Sequence, residues 1–357
     1  MADKERLVKK CISRRLGLME TLILKTDDKS LAHAGAILKD GGLVAFPTET
    51  VYGLGASALI PQSVEKIYAA KGRPSDNPLI VHISDVSEIN PLVREISDDA
   101  KALICAFMPG PFTIILKKSD LVPDTVTAGM DTVAIRFPEN ITAQKLIKMA
   151  GVPIAAPSAN ISGKPSPTCA KHVVCDMLGK IDAIIDGEDC AVGVESTIVD
   201  ASGNAPVLLR PGGITFEELC EVVPDIKIDE HILSSVKADE KPLCPGMKYT
   251  HYAPDAQVTV VEGDMRAVKA KINQLLEENQ DKVCGVLTMS GNAYDSAVIL
   301  HGGDTNREYA KRLFANLREF DRLGVELVFA EFESRDGYGL AIKNRLYKSA
   351  SQRVIYV

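Results

Sequence analysis

From residue 20 onward, short apolar runs alternate with stretches in which apolar residues return every three or four positions. That rhythm belongs to an α/β protein, in which buried strands take turns with amphipathic helices. The apolar runs predict strands over 21–24, 43–46, 79–83, 112–116, 133–137, 152–156, 181–185, 197–200 and 207–209. The helical pattern predicts helices over 30–38, 61–70, 97–108, 142–150, 170–178 and 215–223. Punctuation supports the boundaries: Ser30 and Ser97 are placed as N-caps, Pro61 opens a helix, and Gly41-Gly42 and Gly72 act as stops.

After Val223 the pattern breaks. Residues 224–256 carry Pro224, Pro242, Pro245, Gly246 and Pro254 with charged residues between them, a composition expected of a linker. The segment is long for an inert connection, which marks it as a candidate lid. A second alternating unit follows, with strands expected over 258–261, 283–289, 298–300, 325–329 and 354–356. Helices over 265–278, 307–323 and 340–350 complete a small, mostly parallel, Rossmann-like sheet. The expected organisation is therefore a domain over 19–223, a linker over 224–256 and a domain over 257–357. Residues 1–18 are basic, lack the apolar core of a secretory signal, and are expected to be an extension outside the fold.

Composition narrows the functional classes. The net charge of −7 argues against broad electrostatic attachment to nucleic acid or acidic membranes, so any anion site must be a local basic pocket. No apolar run approaches the roughly 18–20 residues of a membrane-spanning helix, and a cytosolic location is expected. The eight cysteines form no C-x-x-C pair and are expected to be buried, reduced thiols. The six histidines show no H-x-x-x-H or H-x-x-E-H spacing, so no protein-held metal is expected.

Four polar clusters interrupt the apolar pattern of the first domain, at expected strand ends where ligands of α/β sheets gather. They are Pro47-Thr-Glu-Thr-Val-Tyr-Gly-Leu-Gly55, Lys71-Gly-Arg-Pro-Ser-Asp-Asn-Pro78, Pro157-Ser-Ala-Asn-Ile-Ser-Gly163, and Glu195-Ser-Thr197 with Leu209-Arg-Pro-Gly-Gly213. Lys71 and Arg73 flank a glycine, so a mobile point charge and a planar fork can share one anion. The same pair could equally be solvated charges at a helix C-terminus, where the dipole favours cations. Ser158 and Asn160 offer small donors for phosphate or ribose, or a turn that satisfies its own backbone. Gly53-Leu-Gly55-Ala-Ser-Ala58 matches a dinucleotide fingerprint, but Pro61 delays the following helix too far for it to receive a pyrophosphate. No Walker-type G-x-x-x-x-G-K-[ST] occurs. An RNA-binding module is the competing class. The basic residues of the first eighteen positions, without interleaved aromatics, would make only a weak electrostatic arm.

Together these segments resemble the threonylcarbamoyl-AMP synthases, the YrdC-like family, in its two-domain form. The resemblance rests on Lys71-Gly-Arg73 with Ser158-Ala-Asn160, on Asn77-Pro-Leu, Pro109-Gly-Pro and Glu195-Ser-Thr-Ile-Val-Asp, and on Leu209-Arg-Pro-Gly. Pro245-Gly-Met-Lys-Tyr-Thr-His-Tyr-Ala-Pro254 and Gly339-Leu-Ala-Ile-Lys-Asn-Arg-Leu346 extend it through the linker and the second domain. It implies a twisted mixed sheet with helices around a basic cavity, followed by the smaller Rossmann-like unit. It also implies a nucleotidyltransferase that makes threonylcarbamoyl-AMP and pyrophosphate from L-threonine, bicarbonate and ATP. The product would feed threonylcarbamoyladenosine modification of tRNA, completed by separate transferase proteins, with direct tRNA binding weak. By resemblance, Lys71, Arg73, Asn77, Thr132, Asn160, Thr168, Arg210 and Tyr252 hold ATP, with Lys71 and Arg73 as the catalytic pair. Thr50, His82, Arg136, Ser158 and Ser196 would frame threonine and its carbamate, Arg136 taking the carboxylate. His82 could instead be a hydrogen-bonded core histidine. Mg²⁺ is expected to travel with the triphosphate. Hydrogenase-maturation proteins share a related domain, but they carry zinc-finger cysteine pairs and an acylphosphatase segment absent from this sequence.

Overall fold

Hydrophobic alternation in the first domain is read out on two faces of one sheet. A computed structural model describes residues 19–232, 244, 251–289, 291–295, 297–333 and 337–357. Residues 1–18 and the stretch Pro245–Thr250 of the expected lid lie outside the described residues. The first unit runs β1 (Leu22–Leu24), α1 (Asp28–Lys39), β2 (Val44–Phe46), β3 (Gly53–Ser57), α2 (Pro61–Lys71) and β4 (Ile80–His82). It continues through α3 (Asp98–Phe107), β5 (Phe112–Lys117), α4 (Asp124–Thr127), β6 (Thr132–Arg136), α5 (Ile141–Ala150), β7 (Ile154–Ala155) and α6 (Ala170–Met177). It closes with β8 (Ala183–Ile185), β9 (Thr197–Asp200), β10 (Val207–Arg210), α7 (Phe216–Val222) and β11 (Lys227–Ile228).

Among the described residues these strands form an 11-stranded mixed sheet in the order β1-β8-β2-β3-β7-β4-β6-β5-β9-β10-β11. Because strand side chains alternate, Val44 and Phe46 pack with Leu31 and Leu146 on one side. Ala45 joins Ile67, Leu103 and Ile135 on the other. The same alternation leaves Ile80, Ile115, Ala134, Ile198 and Leu209 as a smaller apolar floor beneath Cys244.

Several expectations change at this level. The α1 cap is Asp27, whose carboxylate accepts the Ser30 amide at 3.1 Å, so Ser30 sits inside the first turn. Gly53–Ser57 is a buried strand paired antiparallel with β2, where the sequence suggested a polar loop. Its glycines are needed for contact: a Cβ on Gly55 would lie 2.9 Å from the Phe46 ring and 2.8 Å from Ile154. This gives a packing reason for the false dinucleotide fingerprint. Lys227–Ile228 pairs with β10, so the first sheet takes in residues expected in the linker. Among the described residues the cysteines are free but not uniformly buried: Cys105 and Cys175 are exposed, while Cys190, Cys244 and Cys284 are buried.

The second unit comprises β12 (Gln257–Glu262), α8 (Met265–Glu278), β13 (Cys284–Thr288), β14 (Val298–His301), α9 (Asn306–Arg322), β15 (Leu327–Phe332), α10 (Gly339–Ser349) and β16 (Val354–Tyr356). Its sheet runs β14-β13-β15-β12-β16, and every pairing is parallel. Each helix returns the chain to the starting edge, as parallel strands require. No helix among the described residues is long and apolar enough to cross a membrane.

Candidate active site

The wall of one cavity collects side chains from all four polar clusters. Lys71, Arg73, His82, Arg136, Ser158, Asn160, Ser196, Arg210 and Tyr252 all line it. Strand geometry explains part of this convergence. β4 and β6 are parallel, with His82 opposite Arg136, so the two side chains leave the sheet together. At β10 the register slips between Leu208 and Arg210. A bulge of this kind re-aims a side chain, and Arg210 faces the cavity while Leu209 enters the apolar floor.

Lys71 ends α2, and Gly72 caps that helix in the left-handed conformation (φ 62°), turning the chain so that Arg73 follows. The Lys71 ammonium is directed at the Ser158-Ala-Asn160 loop. It donates to the Ser158 carbonyl, to the Asn160 carbonyl at 2.6 Å and to Asn160 Oδ1 at 3.4 Å. The Ser162 amide returns a bond of 2.9 Å to the Lys71 carbonyl. The two sequence hallmarks are thus bound to each other. Burial, and then the neighbouring Arg73, push the lysine well below its ordinary pKa. Burial lowers Arg73 to about 10, which leaves it charged at neutral pH.

Arg136 enters the cavity already paired: its Nη2 donates to Glu49 Oε1 at 2.6 Å, and Glu49 also accepts the Asn140 amide at 3.3 Å. His82 Nδ1 lies 3.1 Å from the Ile80 carbonyl. Burial first, and Arg136 second, hold His82 down to about 3, so it is neutral across the physiological range. Ser196 receives Arg210 on both its carbonyl (3.0 Å) and its hydroxyl (3.1 Å). Tyr252 has φ 64°, costly for a non-glycine residue. Packing holds it there, with the Phe314 ring at 5.0 Å and the Arg345 guanidinium at 5.5 Å.

Four of the expected residues are absent from this wall. Thr132 borders a small separate cavity with Pro78, Leu79, Ile115 and Ala134. It shares a strand face with Ala134 and Arg136 by alternation, so it stands on the site's side of the sheet but further along. Thr50 is wholly buried behind the wall, its hydroxyl 2.9 Å from that of Thr48, which does line the cavity. Thr168 turns toward His172. Asn77 is buried with neither side-chain amide atom hydrogen-bonded.

The sequence reading gave no role to Glu49, Ser166, Glu195 or His251, all on or just behind the wall. Glu195 accepts from Ser166 at 2.5 Å and from Arg345 at 2.7 Å. Burial opposes its charge, but Arg345 and Arg210 together keep its carboxyl below the usual range. A buried glutamate beside a conspicuous serine was visible in Glu195-Ser-Thr197. Its partner, 150 positions away, was not. Nε of Arg73, Nε of Arg136 and Nε2 of His251 are buried without a hydrogen-bond partner around the same cavity. Such buried groups cost about 1–3 kcal/mol each when left unpaired, and they mark a place where a polar ligand would satisfy them. Among the described residues, no group of His, Cys, Asp or Glu is arranged to hold a metal ion.

Comparison with known proteins bears on both units. Residues 36–212 match the family model described as "Telomere recombination" (Sua5, YciO and YrdC proteins), and residues 214–351 match "Threonylcarbamoyl-AMP synthase, C-terminal domain". The chain is 48% identical to the threonylcarbamoyl-AMP synthase of Pyrococcus abyssi, over 93% of this chain and 97% of that one. It is 47% identical to the Bacillus subtilis enzyme of the same name, over 93% and 96%. The crystal structure of Pyrococcus abyssi Sua5 complexed with L-threonine superposes with a TM-score of 0.90 at 45% identity, covering 95% of this chain and all of that one.

Proposed function

The chain belongs to the threonylcarbamoyl-AMP synthase family in its long form, and from that premise we propose that the cavity is where L-threonine, bicarbonate and ATP meet. The family's members are nucleotidyltransferases serving threonylcarbamoyladenosine modification of tRNA. The observation that carries the assignment of the cavity is its set of unpartnered buried polar nitrogens: Arg73 Nε, Arg136 Nε and His251 Nε2, all on residues of one cavity wall. Threonine and a triphosphate between them supply anionic oxygens enough to engage all of these.

The reaction needs little acid–base machinery. The threonine amine and bicarbonate give a carbamate and water. One carbamate oxygen then attacks the α-phosphorus of ATP, and the bond to pyrophosphate breaks. Positioning and charge neutralisation therefore do most of the work. Arg73 and Arg210 supply fixed positive charge for the phosphates. Lys71 holds the Ser158–Asn160 loop in place, and an arriving phosphate would raise its pKa again and strengthen its contribution. Arg136, steadied by Glu49, offers Nε to the threonine carboxylate, and Ser158, Ser196 and neutral His82 present polar groups nearby. Asn160 and Tyr252 flank the nucleotide. Thr132 would act from further along the strand face that carries Arg136, with Thr50 and Thr168 acting from behind the wall. Both carboxylates nearest the cavity, Glu195 and Glu49, are already engaged by arginines. The residues present therefore do not form a Mg²⁺ cage, and any Mg²⁺ would be carried by the triphosphate oxygens. The proposed location is cytoplasmic, with separate transferase proteins receiving the product.

Purified protein should release pyrophosphate from ATP only when threonine and bicarbonate are both present. Equal release without threonine, measured by a coupled pyrophosphatase assay, would falsify this reading.

A further inference from the structure

The helices of the second unit reach the cavity from behind. Val51 and Val194, beside two of the cavity's polar clusters, belong to the same apolar cluster as Leu313, Phe314 and Leu317 of α9. At Gly193 the backbones meet so closely that a Cβ would lie 2.3 Å from Lys311 Cα. On this packed surface stand two arginines whose bonds run to the cavity's loops.

Arg318 of α9 donates to the Pro165 carbonyl through Nε (3.1 Å) and Nη2 (2.6 Å). Its Nη1 and Nη2 also reach the two oxygens of Asp176 at 3.1 and 2.7 Å. Asp176 in turn accepts the Ile161 amide at 3.2 Å. One guanidinium therefore holds both ends of the stretch from Ile161 to Pro165, which puts Ser162, Gly163 and Lys164 into the wall. Lys71 also grips this loop, at Ser158 and Asn160. Arg345 of α10 is fully buried and donates to Glu195 at 2.7 Å, while Ser166 donates to that carboxylate's other oxygen. Its guanidinium also backs the Tyr252 ring. Neither arginine belongs to the cavity wall.

We propose that Arg318 and Arg345 are positioning residues of the synthase site, through which the second unit sets the geometry of the Ile161–Pro165 loop, Glu195 and Tyr252. The inference rests on the reading of the cavity given above. An ordinary docking contact would affect how much protein is folded. A positioning contact alters how well the folded protein binds substrate. Displacing a loop donor by even 1 Å can cost on the order of a hundredfold in rate.

The test is steady-state pyrophosphate formation by the full chain, with melting temperature measured on each preparation. Arg318→Gln should raise the ATP KM roughly tenfold or more while remaining folded. Arg318→Lys should fall between the two, because one ammonium cannot reproduce a fork that spans Pro165 and Asp176. The double variant Arg318→Gln with Asp176→Asn should be no worse than Arg318→Gln alone, since the two act in series. Arg345→Lys, chosen to keep a charge on Glu195, should raise the KM for ATP or threonine. Unchanged KM values, with activity falling only in step with the folded fraction, would overturn the inference, and so would parental kinetics in Arg318→Gln. A parent chain that makes no threonine-dependent pyrophosphate would overturn the reading of the cavity and this inference with it. An active parent with unmoved variants sinks the inference alone.

Discussion

His82 shows what burial does to a residue whose type alone was ambiguous. Sequence left it between a threonine contact and a core histidine, and the structure gives it features of both: on the cavity wall, 3% exposed, beside Arg136. Its pKa is held down to about 3 by burial and by Arg136, against about 6.5 in an unfolded chain. Between these values the unfolded state binds the extra proton, so His82 makes stability fall as pH drops from about 6.5 toward 3. We expect His82→Asn to flatten the decline in melting temperature between pH 6.5 and 4. A curve as steep as the parent's would contradict the assignment. Arg136 carries a related lesson. As a cation at a strand end it was legible, but Glu49, the carboxylate that already occupies it, was not. The pair forms across 87 positions, and no local pattern records such a contact.

At the scale of elements, local signals served well wherever a boundary is set by backbone chemistry. Pro61 opens α2, Gly72 ends it, and Ser97 caps α3, because a ring-locked φ, a left-handed turn and a side-chain acceptor are local requirements. They failed where tertiary packing decided. Gly53–Ser57 is a strand because its glycines lie against Phe46 and Ile154, although its sequence favours a turn. Gly72 allows a clean measurement. Its φ is 62° and a Cβ there would meet nothing within 4 Å, so Gly72→Ala should cost only the left-handed strain, about 1 kcal/mol. Chemical denaturation should report that loss while KM values for ATP and threonine stay near parental. A large KM change would mean that the Lys71–Arg73 turn needs glycine for reasons beyond backbone conformation.

At the scale of the molecule, the second unit packs behind the cavity without lining it. Gly193 (φ 80°) is a point of close approach, where an added Cβ would strike the Lys311 backbone at 2.3 Å. Gly193→Ala should loosen the docking of α9, lower the melting temperature and depress turnover together. Gly203→Ala, where a Cβ meets nothing within 4 Å, should do neither. Parental stability and turnover in Gly193→Ala would show that the contact is dispensable. The sequence by itself determined the alternation of strands and helices, the two-unit plan and the basic and polar clusters, including Lys71-Gly-Arg73 and Ser158-Ala-Asn160. These follow from periodicity and turn chemistry, which act between near neighbours. Only the tertiary structure decided that Lys71 binds the carbonyls of the very loop it was expected to assist, and that Thr132 lies beyond the main wall. It alone brought Arg318 and Arg345 behind the cavity, since pairings such as Arg345 with Glu195 join residues 150 apart. Such contacts form because a charge removed from water must find a partner, and the fold decides which one is in reach.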